Sequence, residues 1–318
     1  MQISIQVEAM LNVNWAMWKE MLPRLEETGF ATIFRSDHFS LGNPPSTEAL
    51  ELITSMTYAA EHTRKVNIGS LVAPLSVRDP VMLARQAMSI DILSGGRMIL
   101  GVGSGWNEEE HRHFGYNLGD MHTRMDRLAE GLEVMYRLMR SDEPLTFEGR
   151  FTHLHDARLV PRPERPTRLL VGGNGQKRTL PLAARYADIW NCLNETPERF
   201  QELSMHLDEL LKAEGRTPGD VRRSIMKPLL CYRSQEELRS LLDANRRIGS
   251  TPHGSDEEIL ARLARMDCFL GGPDEVIRYM EGYADAGVEE FVIQWYGLHD
   301  LRSLDVFADE VIPHFIGK

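Results

Sequence analysis

Apolar and polar positions along this chain alternate between two rhythms. Short bursts with a two-residue period or a solid apolar run read as strands, and longer stretches with a three-to-four-residue repeat read as helices. Gln2–Val7 is the first strand, followed by a helix over Asn14–Thr28 that Gly29 closes. Ala31–Phe34 is the second strand. Across Thr47–His62, Ala49, Ile53, Met56 and Ala60 fall on one helical face. Val66–Val72 is the third strand. Pro80 opens a helix carrying Val81, Ala84, Met88 and Ile92 on one face, and Gly95-Gly96 ends it. Met98–Val102 is the fourth strand, followed by a long polar loop and a helix marked by Met125, Leu128, Leu132, Met135 and Met139.

Leu145–Pro161 breaks the rhythm and reads as an inserted hairpin, with Gly149-Arg150 near its turn. The alternation then resumes. Strands are expected at Leu169–Val171, Asp188–Asn191, Ser224–Tyr232 and Glu290–Trp295. Helices fall between them, including two segments between Gln235 and Met266 and one over Pro273–Ala286, and a terminal helix ends the chain. Eight strands each followed by helix predict an α/β fold, a (β/α)8 TIM barrel in one domain over residues 1–318. A doubly wound sheet is the rival, because alternation alone does not separate the two.

Charge and cysteine content narrow the partners. With 36 Lys and Arg against 47 Asp and Glu, the net charge is −11, which disfavours nucleic acid and anionic membranes as partners. No apolar run reaches the length of a bilayer span, and the N-terminus reads as a strand rather than a leader. Cys192, Cys231 and Cys268 form no C-x-x-C pair, so a zinc ribbon or disulfide framework is not expected. These features suggest a cytoplasmic protein acting on a small molecule.

Barrel chemistry gathers at the C-terminal ends of strands. There the sequence offers Ser36-Asp37-His38-Phe39, Ser70-Leu71 with Ala73-Pro74, Gly103-Ser104-Gly105-Trp106, and Gly172-Gly173-Asn174-Gly175. A rim histidine beside a carboxylate can move a proton near neutral pH. Equally, Asp37 could cap a turn and His38 be a satisfied structural residue. Glycines before a helix let backbone N–H groups approach a phosphate, though such turns also occur without ligands. Small residues at Gly101–Gly105 would let a planar ring lie against the mouth, with Trp106 either stacking on it or anchoring a lid. His111-x-His113 and His153-x-His155 invite a metal reading, which their placement in a loop-helix and a hairpin disfavours. The run Glu108-Glu109-Glu110 reads as a solvated helix start.

Taken together, several segments resemble the bacterial-luciferase-like family of (β/α)8 oxidoreductases. They are Ser36–Phe39, Gly69–Pro74 with Arg78-Asp79-Pro80, Leu93–Arg97 running into Leu100–Trp106, Val171–Gly175 and Tyr186–Asn191. The resemblance covers residues 1–195 well and the C-terminal third loosely. It implies a flavin or deazaflavin at the barrel mouth. The Asp-His-Phe form at 37–39 is similar to the branch using coenzyme F-420, an 8-hydroxy-5-deazaflavin; the FMN branch more often shows Glu-His-His. By resemblance, Asp37 and His38 lie beside the ring, and the match at Ser70-Leu71 implies a non-prolyl cis peptide behind it. By the same resemblance Gly172–Gly175 holds the phosphate. One departure is Trp106, which stands where the family's sugar-phosphate dehydrogenases carry a glutamate proton donor.

The expectation is hydride transfer between coenzyme F-420 and an unidentified organic substrate. His38 would handle the proton, Asp37 would orient neighbours, and Ser70, Leu71, Ala73, Ser104, Trp106 and Gly172–Gly175 would line the cofactor site. A reduced-FMN monooxygenase served by a separate reductase is the rival, and a flavin-binding barrel without turnover is a third reading. Substrate specificity is expected in the loops Leu41–Ser46, Asn107–His122, Leu145–Pro161 and Ile248–Asp256, the last as a lid. The resemblance also implies a homodimer, with the apolar helices near 47–62 and 80–94 as candidate interfaces.

Overall fold

A computed structural model describes residues 1–246, 254–297 and 299–315. Eight parallel strands close on themselves: β1 (Gln2–Val7), β2 (Thr32–Arg35), β3 (Asn67–Ser70), β4 (Met98–Gly103), β5 (Arg168–Gly172), β6 (Ile189–Leu193), β7 (Arg222–Cys231) and β8 (Glu290–Gln294). Each pairs with its sequence neighbours, and β8 pairs with β1 to complete the ring. The fold is the (β/α)8 barrel, and the doubly wound alternative falls because an open sheet would leave β1 and β8 unpaired.

Strand parity sorts the side chains. Ile3, Ile5 and Ile33 face outward with Trp18, Met21, Leu22 and Leu25 from the helix Trp15–Glu27, forming the larger core. Phe34, Leu71, Ile99, Leu170, Ile189, Met226 and Val292 fill the barrel interior. Side chains cap several helix starts, and Pro80 takes the first-turn position expected of it. Asn14, Asp79 and Asp120 each accept from a backbone N–H three residues on. Gly95 ends its helix in the left-handed region at φ 71°. The inserted hairpin is present as antiparallel Leu145–Glu148 and His153–Ala157.

Four details differ from the sequence reading. The helix expected from Thr47 starts at Leu52, because Glu51 serves as its cap and accepts from Thr54 N. The third strand ends at Ser70 rather than Val72. There the Leu71 carbonyl accepts from Gln6 Nε2 at 2.7 Å instead of joining the ladder, and Ala73–Pro74 re-pair with β4. The non-prolyl cis bond is Leu71–Val72, one residue beyond the expected Ser70-Leu71. The helix start expected at Glu108 opens a helix over Glu108–Phe114, capped by Asn107, whereas a short strand Phe269–Gly271 that the sequence reading lacked pairs with the end of β7.

Of the expected lid Ile248–Asp256, residues 248–253 lie outside the described residues. No helix among the described residues is long and apolar enough to cross a membrane.

Candidate active site

β2, β3, β4 and β5 are successive neighbours in the sheet, so the segments following them share one rim. That brings Asp37 and His38, Leu71 and Ala73, Ser104 and Trp106, and Gly172–Gly175 to one side of the barrel mouth. The centre of this rim is a bare apolar floor. Val72 lies between two glycines: a Cβ built on Gly103 would meet its Cγ2 at 2.7 Å, and one on Gly172 its Cγ1 at 3.0 Å. Ala73 is buried beside it, paired with Val102. Side chains at 103 or 172 would crowd this surface, so the strand ends are flat because they carry no Cβ.

Polar groups line one edge of the floor. Asp37 takes a two-pronged pair of bonds from Arg78, Nε to Oδ2 at 2.8 Å and Nη2 to Oδ1 at 2.7 Å. The third nitrogen of Arg78, Nη1, is 2.8 Å from Glu51. Such a planar fork fixes a carboxylate in orientation as well as charge. Burial opposes the charge on Arg78, but Asp37 and Glu51 outweigh it and hold the guanidinium above its ordinary range. Asp37 is therefore an anchored anion, not a turn cap.

His38 is nearly buried, and its Nδ1 lies 3.0 Å from Glu110 Oε2. The other oxygen of Glu110 accepts the Phe39 N–H. Burial alone would lower the imidazole pKa. The Glu110 hydrogen bond and the charges of Glu8, Glu110 and Asp37 together outweigh it and raise the pKa above 6.5. With Nδ1 engaged, Nε2 is the nitrogen left to meet a ligand. Deeper in the mouth, Ser36 Oγ donates to Glu8, whose other oxygen accepts from Gln294 Nε2 at 3.3 Å. Beneath the rim Arg35 is fully buried over the Trp18 ring, and burial pushes its guanidinium down to about 10 against the pull of Glu8, Asp37 and Glu51.

The remaining expected residues divide. Trp106 stands edge-on to His38, ring centres 5.7 Å apart at 73°, and is 63 % exposed, so one face is open to a ligand. Gly173 adopts φ 127°, a conformation that side chains avoid, and Gly172–Gly175 leads into the helix Thr179–Tyr186. Backbone N–H groups at such a turn suit an anion. The Asn174 side chain is committed elsewhere, holding the end of β6 through Leu193 N and O and Glu195. Ser70 is turned away: its Oγ bridges Gly101 O and N behind the floor. Ser104 Oγ has only a long 3.4 Å contact to Gly105 O.

Sequence reasoning missed Glu110, which it read as solvated; it is only 5 % exposed. The available signal was the Asn107 cap, which starts the helix at Glu108 and puts Glu110 in its first turn. Arg78 and Glu8 were also not assigned roles. His111 is spent structurally, between Asn107 O at 2.7 Å and Ser76 Oγ at 2.8 Å. Among the described residues no cluster of three His, Cys, Asp or Glu could hold a metal.

Comparison with known proteins places this geometry. The family model for luciferase-like monooxygenase matches residues 3–290. An F420-dependent glucose-6-phosphate dehydrogenase of Amycolatopsis mediterranei (strain U-32) is 28 % identical over 319 residues, covering 92 % of each chain. The 4-hydroxyprotoasukamycin monooxygenase of Streptomyces nodosus subsp. asukaensis is 35 % identical over 334 residues, covering 95 % of this chain and 88 % of that protein. Among solved structures, an F420-dependent secondary alcohol dehydrogenase in complex with an F420-acetone adduct superposes with a TM-score of 0.80, at 21 % identity over 98 % of each chain; at that identity it speaks for the fold. A family match spanning nearly the whole barrel, joined to the Asp37–His38 rim and the glycine-lined floor, assigns this chain to the luciferase-like monooxygenase family.

Proposed function

We propose that this protein is an oxidoreductase that moves a hydride between coenzyme F420, an 8-hydroxy-5-deazaflavin, and a small organic substrate. The observation that carries the reading is the His38–Glu110 pair on the same rim as the flat floor of Val72, Gly103 and Gly172. A tricyclic ring needs a wall without side chains, and Gly103 and Gly172 provide one. The relatives named for F420 dependence support the choice of coenzyme.

Bound there, the deazaflavin would supply the hydride chemistry. The chain's own residues do the rest. In the Gly172–Gly175 turn, Asn174 and Gly175 would offer main-chain N–H groups to the coenzyme phosphate, because the Gly173 N–H is donated to Asn191 O at 2.9 Å. Leu71, Val72 and Ala73 form the surface behind the ring. His38 gives or takes the proton through Nε2, while Glu110 fixes the tautomer and stabilises the charged imidazolium. Asp37, clamped by Arg78, keeps the 36–39 segment in place and adds negative potential beside the imidazole. Ser104 and Trp106 border the ring pocket. In the same reading the chain is one domain, works in the cytoplasm, where three buried free thiols stay reduced, and pairs as a homodimer.

Anaerobic binding titrations with F420 and with FMN, oxidised and reduced, test the assignment. F420 is expected to bind at least tenfold more tightly, and His38→Ala to reduce turnover by about two to four orders of magnitude, the usual contribution of an acid–base group. Tight binding of reduced FMN alone would replace the proposal with the second reading, a monooxygenase fed by a separate reductase. That reading is favoured by the 35 % identical monooxygenase relative.

A further inference from the structure

We propose that the substrate is a neutral, ring-bearing apolar molecule with one hydrogen-bonding oxygen, held against an aromatic shelf formed by Trp106, Phe39, Phe114 and Tyr116. The inference rests on the reading of His38 as the proton-handling group. Its starting point is exposure. Trp106, Phe114 and Tyr116 are 63 %, 42 % and 40 % exposed, although each is large and apolar. They are not scattered. Trp106 meets His38 edge-on, and Phe39 is the next residue. Phe39 stacks on Phe114 with ring centres 4.5 Å apart at 21°, and lies 5.6 Å from Tyr116. Contiguous exposed rings mark a binding surface rather than chance.

The shelf is held in place without any ligand. Glu110 binds both the Phe39 N–H and His38. His111 is fixed between Asn107 and Ser76, and the Tyr116 N–H donates to His111 O at 2.9 Å. A preformed aromatic wall favours a planar or apolar ligand, because its rings lose little freedom on stacking.

Charge disfavours the alternative. Glu8, Asp37 and Glu110 all act on His38, while Arg78 is held by Asp37 and Glu51 and Arg124 donates Nη1 to Gly105 O at 3.0 Å. A phosphate or carboxylate beside His38 would enter a field to which three carboxylates contribute. A neutral ligand meets no such penalty, and its single oxygen can accept from His38 Nε2.

Calorimetric titration of the protein, with and without oxidised coenzyme, tests the substrate class using 2-acetonaphthone, acetone and glucose 6-phosphate. The aryl ketone is expected to bind at least tenfold tighter than acetone, and glucose 6-phosphate not to displace it. Phe114→Ser and Tyr116→Ser are each expected to weaken the aryl ketone at least fivefold while leaving acetone unchanged. Both side chains are largely exposed, and an unchanged melting curve verifies folding. Met205→Ser, exposed on the helix Pro197–Ala213, is expected to change nothing. Equal affinity for the two ketones, indifference to both shelf variants, or tighter binding of glucose 6-phosphate would overturn the proposal. Shelf-dependent binding with no coenzyme turnover on any ketone would leave the substrate class standing and remove the hydride-transfer reading alone.

Discussion

His38 Nδ1 and Glu110 Oε2 lie 3.0 Å apart although 72 residues separate them in the chain. The contact links the end of β2 to the helix after β4, and it decides which nitrogen of the imidazole faces the mouth. It also couples the protonation of the site to the stability of the fold.

That coupling has a sign. His38 has a raised pKa in the folded protein, so the native state binds its proton more tightly than the unfolded chain does. The stabilisation is therefore complete below the ordinary value near 6.5 and is lost as pH rises through the raised one. Glu110→Gln removes the charge that favours the imidazolium. The variant is expected to lower the His38 pKa, seen by NMR titration of the ring protons, and to flatten urea stability between pH 6 and 8, ~6.5 being the unfolded reference. An unshifted His38 titration in the variant would refute the coupling.

Arg78 is a second test. Removing it leaves Asp37 as a nearly buried carboxylate without its fork, the situation in which loss of one partner costs roughly 3–5 kcal/mol. Arg78→Ala is expected to fall toward the lower end of that range, since Arg78 is partly exposed, and Arg78→Lys to recover only part of it because an ammonium cannot make the paired contact. Chemical denaturation measures both. Wild-type stability in Arg78→Ala would mean the clamp contributes nothing.

The floor makes a steric prediction. A Cβ on Gly101 would sit 2.1 Å from the Ser70 carbonyl oxygen, which is backbone and cannot swing aside. Gly101→Ala is expected to destabilise the barrel by about 1–3 kcal/mol or more, the usual cost of overpacking. Gly173→Ala meets a different obstacle, its φ of 127°. This variant is expected to lose at least tenfold in coenzyme affinity in the binding titration while its melting temperature moves less than that of Gly101→Ala.

The proposed homodimer is open to direct challenge. On the helix Pro80–Ser94, Met82, Ile92 and Leu93 are all more than 40 % exposed. Leu93→Glu places a charge in that apolar face. Sedimentation or light scattering is expected to show the wild type at twice the chain mass and the variant at one. A monomeric wild type at micromolar concentration would end the proposal.

The chain's own pattern determined the eight strands, most of the helices, the hairpin and the four rim segments that carry Asp37, His38, Leu71, Trp106 and Gly172–Gly175. These are local properties: period, caps and the end of an apolar run depend on residues a few positions away. What only the tertiary structure decided is who meets whom. Closure of β8 onto β1 chose the barrel over an open sheet. Folding of Glu108–Phe114 over the mouth turned Glu110 from a surface acid into the partner of His38, and the segment between Pro74 and Pro80 brought Arg78 onto Asp37. Gln6, reaching across from β1, took the Leu71 carbonyl and ended β3 two residues early. Hydrogen bonds between groups tens of residues apart leave no periodic trace in a sequence, because their geometry exists only once the barrel has closed.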